Sequence, residues 1–274
     1  MGKALKLGVL GTLAVAGAPV LSGGPAMAAV SGKAPTTYTC TGGDFATGNL
    51  TNIPSGTYTS IKVKGACAVA HGAVIRVLGN VDVAPGAVLD AQSAPSTITV
   101  GQDVTAAKGA ILGLGCLPNP PGHTTGHPCT IDPTGSSDIT VKGSIIAKDA
   151  DTVLLNGITV KGNVTLIGGG EDVIPWSIKA NTIRGNLVVI GVTPNWIGVI
   201  VNKVGGNVIL LHITITDPGD PSPTIFVASN TIRRNLVCFG LAPAVSGGFP
   251  GEVNVVGGHA IGQCANLQNE TPGA

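Results

Sequence analysis

Aromatic side chains and charge are both scarce in this chain. Phe, Trp and Tyr together make 3% of it, and charged residues 11%, against roughly 25% charge in ordinary soluble domains. So few charges, nearly balanced in sign, give no argument for binding to nucleic acid or for electrostatic attachment to an anionic membrane. Long helical apolar periodicity is missing too, which argues against a helical bundle or a leucine-rich repeat. No Gly-x-Ser-x-Gly elbow, phosphate loop, dinucleotide fingerprint or zinc-protease histidine pair occurs, so no cofactor is expected.

What is abundant is Gly, with 42 residues, together with Val, Ile and Thr. β-Branched residues rule out ordinary disorder and favour short strands joined by tight turns. Lys3 and Lys6 precede the apolar run Leu7 to Leu21, and Ala26-Met27-Ala28 follows the Gly23-Gly24-Pro25 break. This pattern reads as a signal peptide over residues 1–28, too short and too broken to be a membrane anchor. Removing it leaves thirteen basic and fourteen acidic residues, a net charge of −1. The next most apolar stretch, Ile197 to Ile215, is interrupted by Asn202, Lys203, Gly205, Gly206, Asn207 and His212. No transmembrane segment is therefore expected in the mature chain, and a secreted or cell-wall-associated location follows.

A recurring motif, Ile-Thr-Val-x-Gly-Asn-Val-x-Leu, organises the rest. It is read at Ile98–Ala106, Ile139–Ala147 and Ile158–Leu166, with shorter copies around Asn186, Asn207, Asn235 and His259. The slot held by Asn falls at 66, 80, 103, 144, 163, 186, 207, 235 and 259. Most intervals are 19 to 28 residues, a solenoid period. Apolar residues at −3, +1 and +3 from the slot bury one strand face. The Gly-polar step bends the chain, and Gly there is expected to supply positive φ. A second Asn column, Asn181, Asn202, Asn230 and Asn254, precedes four of the slots by five residues. These columns read either as stacked amide ladders or as good turn formers. The expected fold is all-β: a parallel β-solenoid, a right-handed β-helix of about eight coils. Residues 29–60 form an N-terminal cap, 61–265 the β-helix with an inserted loop at 113–137, and 266–274 a tail. A β-sandwich would seldom repeat one motif so often.

Cys40, Cys67, Cys116, Cys129, Cys238 and Cys264 form an even set, as disulfides in an exported chain require. Sequence proximity favours Cys40–Cys67, Cys116–Cys129 and Cys238–Cys264. His123 and His127 inside the second pair could complete a zinc or copper site, but an oxidising space favours the disulfide, and no metal is assigned.

The segment Asn230-Thr231-Ile232-Arg233-Arg234-Asn235-Leu236-Val237-Cys238, with Asn254-Val255-Val256-Gly257-Gly258 and Gly262-Gln263-Cys264, resembles secreted β-helix-like repeat proteins of high-GC Gram-positive bacteria. Their repeats run Asn-Thr-Val-Gly-Gly-Asn-Leu and close on Gly-Gln-Cys. Their function is unassigned, so the resemblance implies a β-helix and export but no activity. Arg233-Arg234 departs from the usual Gly pair.

Two candidate binding regions remain. Glu171 and Asp172 beside Trp176 could hold a sugar, the indole stacking on a pyranose; a solvated loop is the plainer reading. Lys64, Lys142, Lys161, Arg184 and Arg233 stand two residues before the slot and should face outward. They could follow an anionic cell-wall or extracellular glycan, or simply discourage edge aggregation. The acids are scattered, and no catalytic residues are assigned. The leading expectation is a non-enzymatic secreted structural or cell-surface protein; the alternative is a carbohydrate-binding or polysaccharide-cleaving β-helix. Oligomeric state is not set by these features.

Overall fold

The computed structural model describes residues 34–120, 126–171, 173–217, 219, 224–248 and 253–267. The expected signal peptide, Asp172, His123 and most of the tail lie outside these. The chain divides into Met1–Ala34 and Pro35–Ala274, and the account that follows concerns the second unit.

One coil shows how the rest are built. Thr152–Asn156 lies on a first face, Thr159–Val160 on a second and Val164–Ile167 on a third. Each strand pairs in parallel with its counterparts in neighbouring coils: Val160 with Val141 and Ile183, Val164 with Ile145 and Leu187, Leu155 with Leu114 and Ile178. The first face is a nine-stranded sheet, and an eighteen-stranded sheet covers the other two. The fold is thus a parallel β-solenoid of about nine turns. Alternation does what the sequence implies: Val160, Val164 and Leu166 are fully buried while Lys161 and Ile167 are exposed.

The additional turn comes from a misplaced marker. Ala66 begins a first-face strand, Ala66–Val69, so it is not a slot residue. Ile61 pairs with Val81, which puts Ser60 opposite Asn80. Thr36–Cys40 and Thr51–Ile53 already stack on Gly56–Val63 and Ala66–Val69. Within the segment expected to be a cap, residues 34–60 already carry strands of both sheets and form the first of the described coils. The 41-residue interval is one coil with an insertion, since Ile98 pairs directly with Ile139. The Pro/Gly-rich stretch from Ala242 is not all loop either: Val245–Ser246 pairs with Ile225 and Phe226.

All three expected disulfides are present. Cys40–Cys67 and Cys238–Cys264 span 27 and 26 residues and sit inside the two terminal regions of the rod. Cys116–Cys129 closes the base of the insert. At the C-terminal end the short helical turn Ala265–Leu267 brings Leu267 against the core.

Both asparagine columns form ladders. In the inner one, Asn181, Asn202, Asn230 and Asn254 are buried. The Asn181 amide donates to Asn202 Oδ1 at 3.0 Å, Asn202 to Asn230 at 3.0 Å and Asn230 to Asn254 at 2.9 Å. Each Nδ2 also donates to a first-face carbonyl of the previous coil, that of Leu155, Ile178, Val199 or Val227. Each Oδ1 accepts a backbone N–H from that coil, beginning with Ile158. The slot ladder runs the other way. Asn163, Asn186, Asn207 and Asn235 accept the backbone N–H of the following coil's slot residue.

The slot glycines serve a different purpose from the one expected. Positive φ is absent from Gly143, Gly162, Gly185, Gly206 and Gly258. A Cβ on any of them would collide with the side-chain oxygen of the previous slot: Asp103, Ser144, Asn163, Asn186 or Asn235. They are there for space. Where Gln102 or Arg234 replaces the glycine, the N–H bond to the slot Asn is 3.1 Å, against 2.8 Å at Gly185 and Gly206. Positive φ is concentrated at the two other corners. One holds Gly157, Ala180, Val201 and Ser229; the other holds Asp149, Gly168, Gly191, His212 and Gly240.

Removing Asn202 strips acceptors from two Asn181 donors and the donor from Ile178 O. Asn202→Ala should cost about 3 kcal/mol or more, since each buried orphan costs ~1–3 kcal/mol. Val201 is β-branched at φ +60, so Val201→Gly should gain about 1 kcal/mol by relieving that conformation. Thermal unfolding with the disulfides intact should move the two midpoints in opposite directions.

Candidate functional site

The first face carries the insert. Leu117 and His127 bond to each other through both backbone pairs, at 2.9 and 3.0 Å. Ile131 N–H donates to Ser93 O, and Leu117 packs on Gly157, so the insert lies back over the same corner of the coil before its own and of the coil after it. His127 is half-buried. Burial holds it below the ordinary value of 6.5, the nearby Lys179 charge adds to this, and Asp90 opposes it. Cys116 and Cys129 are spent in their disulfide. Among the described residues no group of three or more His, Cys, Asp or Glu could hold a metal ion.

The proposed sugar platform is not a surface. Trp176 is fully buried, pointing inward in register with Ile197, and its Nε1 donates to Asp151 O at 2.9 Å. Period two decides this: Trp176 and Ile178 alternate with outward Ser177 and Lys179, so the indole is core. Glu171 accepts from Thr152 Oγ1 at 3.0 Å, and Asp172 lies outside the described residues. The outward indole is Trp196, half-buried on the next coil. Its six-membered ring lies over Gly198, where a Cβ would strike it. Phe226 stands 5.7 Å away between centroids and Lys179 Nζ 5.7 Å above the ring. The ring thus fills the hollow left by Gly198, between two coils.

The cation column is real with one exception. Register places Lys142, Lys161 and Arg184 on three successive coils of the second face, Gly205 on the next, and Arg233 beyond it. All four cations are exposed. Lys64 is not among them: it follows Val63 at the end of a third-face stretch, its N–H bonded to Cys40 O. Its motif copy was the misregistered one. A fifth cation that sequence reading missed, Lys203, lies in the adjacent outward column with Thr159, Thr182 and Thr231. It supplies charge on the coil where Gly205 leaves the cation column empty. Among the described residues none of these five cations forms an ion pair; the salt bridge present joins His71 and Asp132 at 3.6 Å. Arg184, Lys203 and Arg233 line an open, shallow groove of about 490 Å³. The five second-face strands from Thr159–Val160 to Val255–Val256 contain no acidic residue.

The third face was also missed. Its outward positions begin with Lys62, Asp82 and Thr105 and then form two apolar columns: Ile146, Val188, Ile209, Val237 and Ile261, with Thr165 among them, and, after Lys148, Ile167, Ile190, Leu211 and Phe239. Ile167, Phe239 and Ile261 are each more than 40% exposed. Runs of four apolar residues after the slot, such as Leu187–Ile190 and Val208–Leu211, signalled it, because period two cannot bury all four.

An enclosed void near Ile53, Ile75 and Leu89 holds about 20 Å³ and is lined only by apolar residues, which leaves no room for a ligand. Among the described residues no helix is long and apolar enough to cross a membrane. Comparison with protein families, with curated proteins and with solved structures gives no match.

His127 supplies a pH test. Its folded-state pKa lies below the unfolded one, so the unfolded insert binds more protons as pH falls. The insert's stability is therefore complete above about pH 6.5 and declines below it. Amide exchange at Leu117 and His127 should accelerate as pH drops through 6 beyond the intrinsic trend, and His127→Asn should flatten that response.

Proposed function

We propose that the chain is a non-enzymatic structural protein of the extracellular space, a stiff rod held along an anionic cell-wall polymer by its second face. The observation that carries this is the aligned cation ladder Lys142, Lys161, Arg184 and Arg233, completed by Lys203, none of which forms an ion pair among the described residues. Successive rungs of a β-ladder are ~4.8 Å apart. A row of like charges on that spacing, with no acidic residue in the second-face strands from Thr159–Val160 to Val255–Val256, attracts a linear polyanion better than a compact small molecule. Three disulfides and the absence of a membrane-crossing helix among the described residues fit an extracellular protein. The resemblance to exported repeat proteins of Gram-positive bacteria points the same way. The inward position of Trp176 removes the main support for a sugar-cleaving alternative.

The test is binding to polygalacturonate and to inorganic polyphosphate, with neutral dextran as control. Both polyanions should bind and dextran should not. Affinity should fall about tenfold or more between 0.05 and 0.3 M NaCl, as screening shortens. Lys161→Ala with Arg184→Ala should lower it by a similar factor while leaving the unfolding midpoint in place. Binding that ignores both salt and these substitutions would refute the reading.

A further inference from the structure

We infer that the third face is a self-association surface whose occupant is a second copy of this chain. Its centre is formed by Val188, Ile209 and Val237 in one column and Ile190, Leu211 and Phe239 in the next, on three successive coils. These side chains point away from the core, since Val189, Leu210 and Cys238 between them are fully buried. Nothing in the fold of one chain requires apolar residues there. Thr165 holds the same column one coil earlier, and Thr is an ordinary choice for an outward strand position.

Two properties favour a second copy over other partners. The first is commensurability. The columns repeat at the ~4.8 Å rung of a β-ladder, and sheets pack face to face with side chains interdigitated. An identical ladder has the same rung spacing, so its side chains can fill the hollows along the full length of the patch. The second is composition. From Thr165 to Ile261 the outward positions of this face carry one aromatic side chain and no cation. A surface that lies in a lipid interface is typically built with several aromatics and a cationic flank on the same element.

Area sets the strength. The five rungs from Thr165 to Ile261 and two columns give roughly 340 Å² per copy, about 680 Å² for the pair. That is below the ~1,200 Å² where stable interfaces begin, and in the range of weak, transient ones. The association should therefore be concentration-dependent rather than obligate. It also leaves the second face free, because that face lies around the slot corner. The inference does not depend on polymer binding by the cation ladder.

Sedimentation equilibrium of the purified chain tests it. The average mass should rise from that of a monomer near 1 µM towards that of a dimer at several hundred micromolar, the range expected for an interface of about this area. Sodium sulfate should strengthen the association, as it does apolar burial. The double variant Ile209→Thr, Leu211→Thr should weaken it at least about tenfold, with the same unfolding midpoint as the parent. Lys161→Ala with Arg184→Ala should leave it unchanged. A chain that stays monomeric throughout, or a threonine variant that associates like its parent, would overturn the inference. So would a monomeric chain that binds phosphatidylglycerol vesicles and loses that binding in the threonine variant, since the face would then belong to lipid.

Discussion

Everything in the C-terminal half of the rod depends on an amide that has no water to turn to. A buried carboxamide costs several kcal/mol if its two donors and its acceptor are left unmade. Asn202 meets the demand completely: its Nδ2 reaches Ile178 O and Asn230 Oδ1, and its Oδ1 takes the Asn181 backbone and side-chain donors. Each of those partners belongs to an adjacent coil. A coil that slipped by one residue would lose them all together and turn its apolar face outward. The ladder therefore sets register as well as adding stability, and the flat, regular outer columns follow from that register.

The inner column is not asparagine throughout. In register with Asn181 stand Ile158, Ile139, Ile98 and Ile75, all buried. The change of residue accompanies a change of corner. At four successive corners a single left-handed residue, Gly157, Ala180, Val201 or Ser229, separates the first-face strand from the column residue, and the Asn one coil later (Asn181, Asn202, Asn230 or Asn254) takes the carbonyl and N–H that this corner turns inward. In the isoleucine half, Ala91 and Thr97 are separated by five residues, and the insert leaves after Leu114. A tight corner exposes carbonyls and N–H groups inside the rod, and an amide can satisfy them where an isoleucine cannot. A wide corner can fold its polar groups outward, so a branched apolar side chain suffices.

Much of this was legible in the sequence. The slot and its period gave the solenoid, and proximity gave the disulfide pairs, because sequence-near cysteines in a short-period solenoid meet within one coil or the next. What was misread has a common cause. The copy at Val63–Cys67 matched the motif by composition but sits at a different corner, so Ala66 and Lys64 were placed in the wrong columns. The glycines at 185 and 206 were assigned to backbone conformation, whereas the demand comes from a side chain one coil away, which no local pattern contains. Trp176 was read as a surface residue from its neighbours Glu171 and Asp172, while the alternation of its own strand places it inside.

The division between inward and outward positions also decides where function can reside. Inward columns are held by packing and by the amide ladder, and a change in any one is felt in the adjacent coils. Outward columns of the second and third faces, which nothing within the chain covers among the described residues, answer to no such constraint, so a regularity found there needs another cause. Thr alone would serve solubility and strand propensity. Instead one outward column collects Lys and Arg, with Lys203 beside it where Gly205 interrupts it, and two others collect apolar residues, one on five coils and the other on four. From Thr165 to Phe239 the two outward columns of the third face hold no cation, and the cation ladder of those coils stands on the second face, with the slot ladder at the corner between them; Lys148, in register with Ile167, and Val255, in the Lys203 column, are the exceptions. A surface under no pressure but solubility would mix the two. Their separation is what a rod needs if one face is to meet a charged polymer while another meets its own kind.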